Sequence, residues 1–451
     1  MALDGIFIYA VNLELQNILG SFVDRVFQIS RFEFVLVLRS FKRAIQLFIS
    51  VNPSCPRINL TETIFSKQQF QSSFCRVLNR FLEGSCFVSA KQTGLDRILF
   101  LEFEHKNRVA ENKSVVLVIE IMGKQSDLIL IDKNSTKIVD SVKSSGDSFL
   151  KEQFFKKLSS SGKLNVLNCS LDQLMERIFS YRNFNLKKAL LFTIEGISSV
   201  VARELALNFE DKLLVDFDEI EKSKLLKVLN KFKQIVAMQK FSFSVFLEGS
   251  LPKEFCWFEL KQFENFLITK KFASASELLD FFYKKKFAIE RFNQQRCNVM
   301  KRINDEIEKI NKEKLSKSQQ LAEFESFEVW KIYADLLSAN LHRTEFGKTS
   351  ITVENFYSGG EKIKIKLNPT KTIKQNVQYY YKKFKVYKHD YEVLRNQIVG
   401  LDGLILFLKG ELELLNNAKM EAEVLNVMLN LSRRGFYSDK FVMKKLSKLN
   451  E

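Results

Sequence analysis

The chain has 451 residues, 46% hydrophobic and 27% charged, with 70 Lys and Arg against 53 Asp and Glu and a formal net charge of +17. This is too long for one ordinary core and implies two or three domains. The charge balance suits a polyanionic partner, with nucleic acid first and an anionic membrane surface behind it. Cys55, Cys75, Cys86, Cys169, Cys256 and Cys297 form no CxxC pair, and His105, His342 and His389 lie outside metal-ligand spacing. Reduced, mostly core thiols are therefore expected, with no zinc site and no cofactor. The start, Met1-Ala-Leu-Asp4, has no basic region or cleavage site, and apolar runs such as 114–122 fall far short of a membrane span. Cytoplasmic localisation without a membrane partner is the plain expectation.

In chain order, residues 1–172 read as an α+β domain. A short helix carries Leu3, Phe7, Ala10, Leu13 and Ile18, and strand-like runs follow at 22–29 and 32–38. A helix is predicted over 67–82, stopped by Gly84. Runs at 114–122, 127–132 and 137–143 look like a meander joined by hairpin-compatible connections. Residues 173–282 turn helical, with Gly196-Ile-Ser and Ala202-Arg-Glu-Leu205 spaced like a helix-hairpin-helix, followed by a short β-rich insert with Pro252 and Trp257. Such a motif presents backbone N–H groups to a phosphate; an ordinary helical hairpin fits the same residues.

Residues 283–451 carry the strongest periodicity. Val377, Tyr380, Phe384, Tyr387, Tyr391, Leu394, Ile398, Leu401, Ile405, Leu408, Leu412 and Leu415 alternate by three and four, a coiled-coil seam. Met300, Ile303, Ile307 and Ile310 repeat that spacing upstream, and 341–367 alternates like strands around Ser358-Gly-Gly360. An antiparallel coiled-coil hairpin with a small β-containing cap follows, projecting roughly 60 Å at ~1.5 Å per residue. An arm of that length suits bridging across a large assembly rather than holding a small substrate.

No GxxxxGK[ST], HExxH, GxSxG or dinucleotide fingerprint occurs. The order of an N-terminal α/β-meander domain and a helix-hairpin-helix is similar to formamidopyrimidine-type DNA glycosylases, but Met1-Ala2 lacks their N-terminal proline nucleophile. DNA repair chemistry is disfavoured, and a non-enzymatic role is expected. Two segments stand out instead: Gly94-Leu-Asp-Arg-Ile-Leu-Phe100 and Glu120-Ile-Met-Gly-Lys-Gln-Ser126. Each sets charges at the mouth of an apolar strand beside a glycine turn. The Asp96–Arg97 pair offers a guanidinium for a phosphate and a carboxylate that orients it or accepts a ribose or base donor. Lys124 is a phosphate candidate, as are Lys382 and Lys383 in the basic, aromatic stretch Tyr379-Tyr-Tyr-Lys-Lys-Phe-Lys-Val-Tyr-Lys388. A solvated lysine face is the alternative reading of that stretch.

Together with Ala2-Leu-Asp-Gly5, Asn52-Pro-Ser-Cys-Pro-Arg57, Phe74-Cys-Arg-Val-Leu-Asn-Arg-Phe-Leu-Glu-Gly84, Gly196-Ile-Ser-Ser-Val-Val-Ala-Arg-Glu-Leu205, Leu336-Leu-Ser-Ala-Asn-Leu341 and Asn376-Val-Gln-Tyr-Tyr-Tyr-Lys-Lys-Phe384, these segments resemble the NFACT family, also called fibronectin-binding-protein-A-like. That family includes RqcH-type proteins of bacterial ribosome quality control. The resemblance is collinear from residue 2 to about residue 437. It implies that Asp4, Asp96 and Arg97 lie on a tRNA-contacting face and that Glu120, Ile121 and Met122 form a second functional patch. Ile121 and Met122 fit buried strand positions equally well. Gln125 stands where this turn commonly has His. The resemblance further implies binding to the large ribosomal subunit carrying a stalled peptidyl-tRNA, with recruitment of alanyl-tRNA and untemplated alanine tailing of the nascent chain. The ribosome would supply peptidyl transfer, with a small RNA-binding assisting protein as a further partner. Family members commonly continue into a C-terminal RNA-associated NFACT-R domain; with Glu451 as the last residue, the expectation is a member lacking it, which puts processive tail synthesis in question. The alternative, from the older family name, is a surface adhesin binding fibronectin or fibrinogen.

Overall fold

A computed structural model describes residues 3–40, 44–63, 65, 71–105, 114–143, 162–209, 212–263, 267–342 and 347–438. It divides into two compact units, Met1–Ile289 and Glu290–Glu451. The first opens with α1 (Gly5–Gln16), where Ile6, Phe7, Ile8, Val11 and Leu15 are each fully buried. A helix apolar all round belongs inside a core, and α1 lies there.

Around α1 runs a nine-stranded antiparallel sheet, ordered β4-β3-β2-β1-β5-β6-β7-β8-β9. Its strands are β1 (Phe22–Ser30), β2 (Glu33–Arg39), β3 (Ala44–Ser50), β4 (Arg57–Thr61), β5 (Cys86–Gln92), β6 (Ile98–Glu104), β7 (Ser114–Glu120), β8 (Asp127–Asp132) and β9 (Ile138–Ser141). The meander is present as β7–β9 and the apolar strand beginning beside Asp96–Arg97 is β6; β3, β4 and β5 were not anticipated. The helix expected over 67–82 is α2 (Ser73–Leu82). It starts late because Ser72 caps it, its hydroxyl accepting from Cys75 N at 3.1 Å; residues 67–70 lie outside the described residues. Arg57 of the Asn52–Arg57 segment is buried between aromatic rings, 4.3 Å from the Phe48 centroid and 4.1 Å from that of Tyr283.

Helices α3 (Leu171–Phe179), α4 (Leu186–Thr193), α5 (Ser199–Leu205) and α6 (Glu219–Ala237) follow. Then comes a three-stranded sheet of β10 (Phe243–Glu248), β11 (Leu251–Cys256) and β12 (Ile268–Phe272), the β-rich insert of the sequence reading. α7 (Ala275–Phe324) begins with Glu14 accepting from Ala275 N at 2.6 Å and Ser276 N at 3.2 Å. That carboxylate satisfies amides a helix start leaves unpaired.

In the second unit α7 meets α9 (Ile373–Asn417) in reversed order: Phe324 lies against Tyr387, Lys314 against Asp402 and Arg296 against Ala418. The helices are therefore antiparallel. Seam residues Val377, Tyr380, Ile405, Leu408 and Leu415 are buried, whereas Val399, Leu406 and Leu414 between seam positions are 64%, 74% and 56% exposed. α8 (Phe327–Ala339) and the hairpin β13 (Ser350–Asn355) to β14 (Glu361–Lys366) pack with the start of α9, and α10 (Glu421–Arg433) closes the core around Ile405 and Leu415. All six cysteines are free, and only Cys297 is exposed. Among the described residues, no helix is long and apolar enough to cross a membrane and no His/Cys/Asp/Glu group could hold a metal ion.

Candidate nucleic-acid interface

Asp4 caps α1 and is 5% exposed. Its Oδ1 accepts from Phe7 N at 2.8 Å and Trp257 Nε1 at 3.0 Å, and its Oδ2 accepts from Ser198 N at 3.0 Å. One carboxylate thus ties α1 to the Gly196–Ser199 turn and to the residue following β11. Burial pushes its pKa up to about 6, against the hydrogen bonds that favour the anion. With both oxygens engaged from inside, Asp4 assembles the site rather than facing a partner.

The 93–97 turn docks onto this junction. The Leu95 carbonyl sits where a Cβ on Gly5 would stand 1.6 Å away and one on Gly196 2.4 Å away, so only glycine fits at either position. Glu195 reaches across, accepting from Leu95 N at 3.1 Å. Gln92 Nε2 donates to the carbonyls of Gly5 at 2.8 Å and Asp96 at 2.6 Å. Asp96 Oδ1 accepts from Arg97 N at 2.7 Å. Asp96 and Arg97 are left half-buried at the rim of a cavity of about 430 Å³, shared with Asp4, Met122, Lys163, Glu195 and Ser199.

The second segment lies at the same place. Ile121 N donates to the Arg97 carbonyl at 2.9 Å, joining the end of β7 to the Asp96–Arg97 turn. This pairing turns Ile121 inward to 0% exposure, a core residue, while Glu120 and Met122 on either side of it are half-buried. Glu120 is half-buried, and its pKa is raised by burial, with Asp127 and Asp96 adding to the rise and Lys143 opposing it. The Ile121–Arg97 backbone bond and the pairing of Glu120 with Ile98 set the two sequence segments side by side. Lys124 is exposed on the Gly123–Gln125 turn, its carbonyl taken by Lys143 Nζ at 3.3 Å.

Two other expectations meet a different geometry. α4 and α5 do flank Gly196, but Ser198 N is spent on Asp4 and the Gly196 carbonyl accepts from Ile6 N at 3.2 Å. The turn faces the sheet domain and forms a wall of the cavity, so these groups are not presented to a phosphate. In the second unit Lys382 is exposed, whereas Lys383 lies over Trp330, 3.5 Å from the ring centroid. Cation–π attraction holds that ammonium against its own fold. A larger cleft of about 770 Å³ in the first unit is lined by Glu14, Glu62, Glu277 and Asp280. Its Glu14 and Asp280 carboxylates serve α7, Asp280 accepting from Asn59 Nδ2 at 2.7 Å and Thr61 Oγ1 at 2.6 Å. An acidic cleft does not suit a phosphate backbone.

Sequence reasoning missed Lys163, Glu195 and Trp257. Glu195 stands beside the quoted Gly196 segment, but its partner is 100 residues away and no local signal marks it.

The NFACT N-terminal and middle domains family matches residues 4–449. The chain is 27% identical over 445 residues to the Rqc2 homolog RqcH of Streptococcus suis, covering 97% of this chain and 75% of that protein. It is 26% identical to the Rqc2 homolog RqcH of Bacillus subtilis, covering 88% and 69%. Among solved structures, the N-terminal part of the fibronectin/fibrinogen-binding protein of Streptococcus suis superposes with a TM-score of 0.51 at 25% identity, covering 63% of this chain and 99% of that one. Collinear similarity over nearly the whole length, on an α+β fold in which four of the resembling segments line one cavity, establishes that the chain belongs to the NFACT family and is similar to its RqcH-type members.

Proposed function

We propose that this protein acts in ribosome quality control as a tRNA-positioning factor without catalytic chemistry of its own. On this reading it binds the large ribosomal subunit carrying a stalled peptidyl-tRNA in the cytoplasm and recruits alanyl-tRNA. It then directs untemplated alanine addition that marks the nascent chain for degradation, while the ribosome supplies peptidyl transfer. The observation that carries this reading is the convergence of Asp96, Arg97 and Met122 on one cavity, with Glu120 on the paired strand beside them, in a chain of net charge +17. A guanidinium beside oriented carboxylates suits a phosphate flanked by ribose or base donors. The names of the RqcH relatives support the same role.

The test is to recover the tagged protein from its own cells and sequence the bound RNA. Large-subunit RNA with one enriched tRNA is expected. Asp96→Ala with Arg97→Ala is expected to lose the tRNA and keep the subunit. Subunit RNA without any tRNA would refute the recruiting role, and no RNA would refute the ribosomal reading altogether. The fibronectin/fibrinogen-binding name of the Streptococcus suis structure favours a second reading, a surface adhesin. Protease accessibility on intact cells separates the two, since full protection excludes a displayed adhesin.

A further inference from the structure

The backbone N–H and C=O of both Asp96 and Arg97 are tied down. Asp96 N donates to the Thr93 carbonyl at 3.0 Å, the Asp96 carbonyl accepts from Gln92, Arg97 N donates to Asp96, and the Arg97 carbonyl accepts from Ile121 N. These ties all come from the sheet domain. The remaining one, at Leu95 N, comes from Glu195, beyond α4. Both Glu195 oxygens also occupy the space over Gly94, where a Cβ would stand 2.7 Å from Oε2 and 2.8 Å from Oε1, and Gly94 has φ +57°. A charged acceptor binds a backbone N–H about twice as strongly as a neutral one. Two of these ties end on a carboxylate, Arg97 N on Asp96 and Leu95 N on Glu195, and only the second reaches in from outside the turn itself.

We propose that Glu195 is a positioning residue: from the helical region it pins the 93–97 turn and thereby sets the direction in which Arg97 meets RNA. The inference rests on the reading above, in which Arg97 contacts a phosphate of tRNA. Glu195 is a half-buried wall residue of the cavity, and its contribution passes through the turn.

The test is a double-mutant cycle on tRNA affinity, measured by fluorescence anisotropy with the full chain across a salt series. Arg97→Ala is expected to weaken binding about tenfold and to lower the slope of log K against log salt by about 0.9, one phosphate contact. Glu195→Ala is expected to reproduce both effects. Combined with Arg97→Ala it should add nothing, because the group it positions is already gone. Glu195→Gln, which keeps an oxygen for Leu95 N, is expected to stay within about twofold of the parent. Glu195→Asp keeps the charge but withdraws the carboxylate, so it should behave like Glu195→Ala even if the alanine variant folds poorly. Unchanged affinity in Glu195→Ala and Glu195→Asp, or a further loss on top of Arg97→Ala, overturns the inference and leaves the tRNA reading standing. Parent-like tRNA binding by Arg97→Ala overturns both.

Discussion

Gly5→Ala puts the docking of the 93–97 turn to a quantitative test. An alanine near a helix start gains at most about 1 kcal/mol over glycine from propensity. Here its Cβ would stand 1.6 Å from the Leu95 carbonyl oxygen and 2.8 Å from Gly196 Cα, both backbone atoms that cannot swing aside like a flexible side chain. Either α1 or the turn must move. The hydrogen bonds from Gln92 to the Gly5 carbonyl and from Ile6 N to the Gly196 carbonyl are then stretched or lost. Two such bonds contribute about 1 kcal/mol each, and buried groups left unpaired cost a further 1–3 kcal/mol. The balance is a destabilisation of about 2–4 kcal/mol in the transition of the first unit. Gly400→Ala is the matched control. It lies within α9 with nothing inside 4 Å of its added Cβ, so the same chemical change should stabilise the second unit by about 1 kcal/mol. Urea unfolding at pH 7, followed by tryptophan fluorescence and far-UV circular dichroism, reads both transitions, because Trp257 and Trp330 fall in different units. Parent-like or raised stability in Gly5→Ala would show that Leu95 is not wedged between the two glycines.

The buried Asp4 gives a pH signature. Its folded pKa of about 6 exceeds the ordinary Asp value of 3.8, so the native state holds the proton more tightly and Asp4's contribution to stability falls as pH rises from about 4 to 6. The fall amounts to about 3 kcal/mol at 1.36 kcal/mol per pH unit. Asp4→Asn is expected to abolish that slope, seen in the difference between parent and variant urea curves over pH 4–7; parallel curves would contradict it. In the second unit, Trp330 stacks on Tyr380 at 5.9 Å and carries Lys383 on its face. Trp330→Ala is expected to cost about 3 kcal/mol in that unit's unfolding transition. Lys383→Met, which keeps the stem without the charge, should cost about 1 kcal/mol or less.

Much of this protein is written locally. The three-four alternation from Val377 to Leu415 places each seam residue on one stripe of α9 because the helix repeats every 3.6 residues. The runs that become β7, β8 and β9 announce themselves by apolar content between turn residues. Asp96 and Arg97 were legible as a charge pair at a strand mouth, whereas Glu120 and Met122 came only from the family resemblance; Asp96, Arg97 and Met122 line one cavity, with Glu120 on the strand pairing alongside.

What escaped the sequence depends on contacts between distant parts of the chain. Ile121 looks like its neighbours in sequence, but its amide pairs with the Arg97 carbonyl and its side chain enters the core. Lys383 looks like Lys382 until Trp330, 53 positions earlier by their numbers, lies beneath it. The amide that a helix-hairpin-helix would offer to RNA is consumed by Asp4, 194 residues away, and that same carboxylate meets Trp257 across 253 residues. Periodicity and turn chemistry act over a few residues, so the sequence by itself determined the seam of α9, the β7–β9 meander and which charges stand at strand mouths, but not β3, β4 and β5. Which of those charges face outward, and which are spent holding the fold together, was decided only when packing of the whole core brought them side by side.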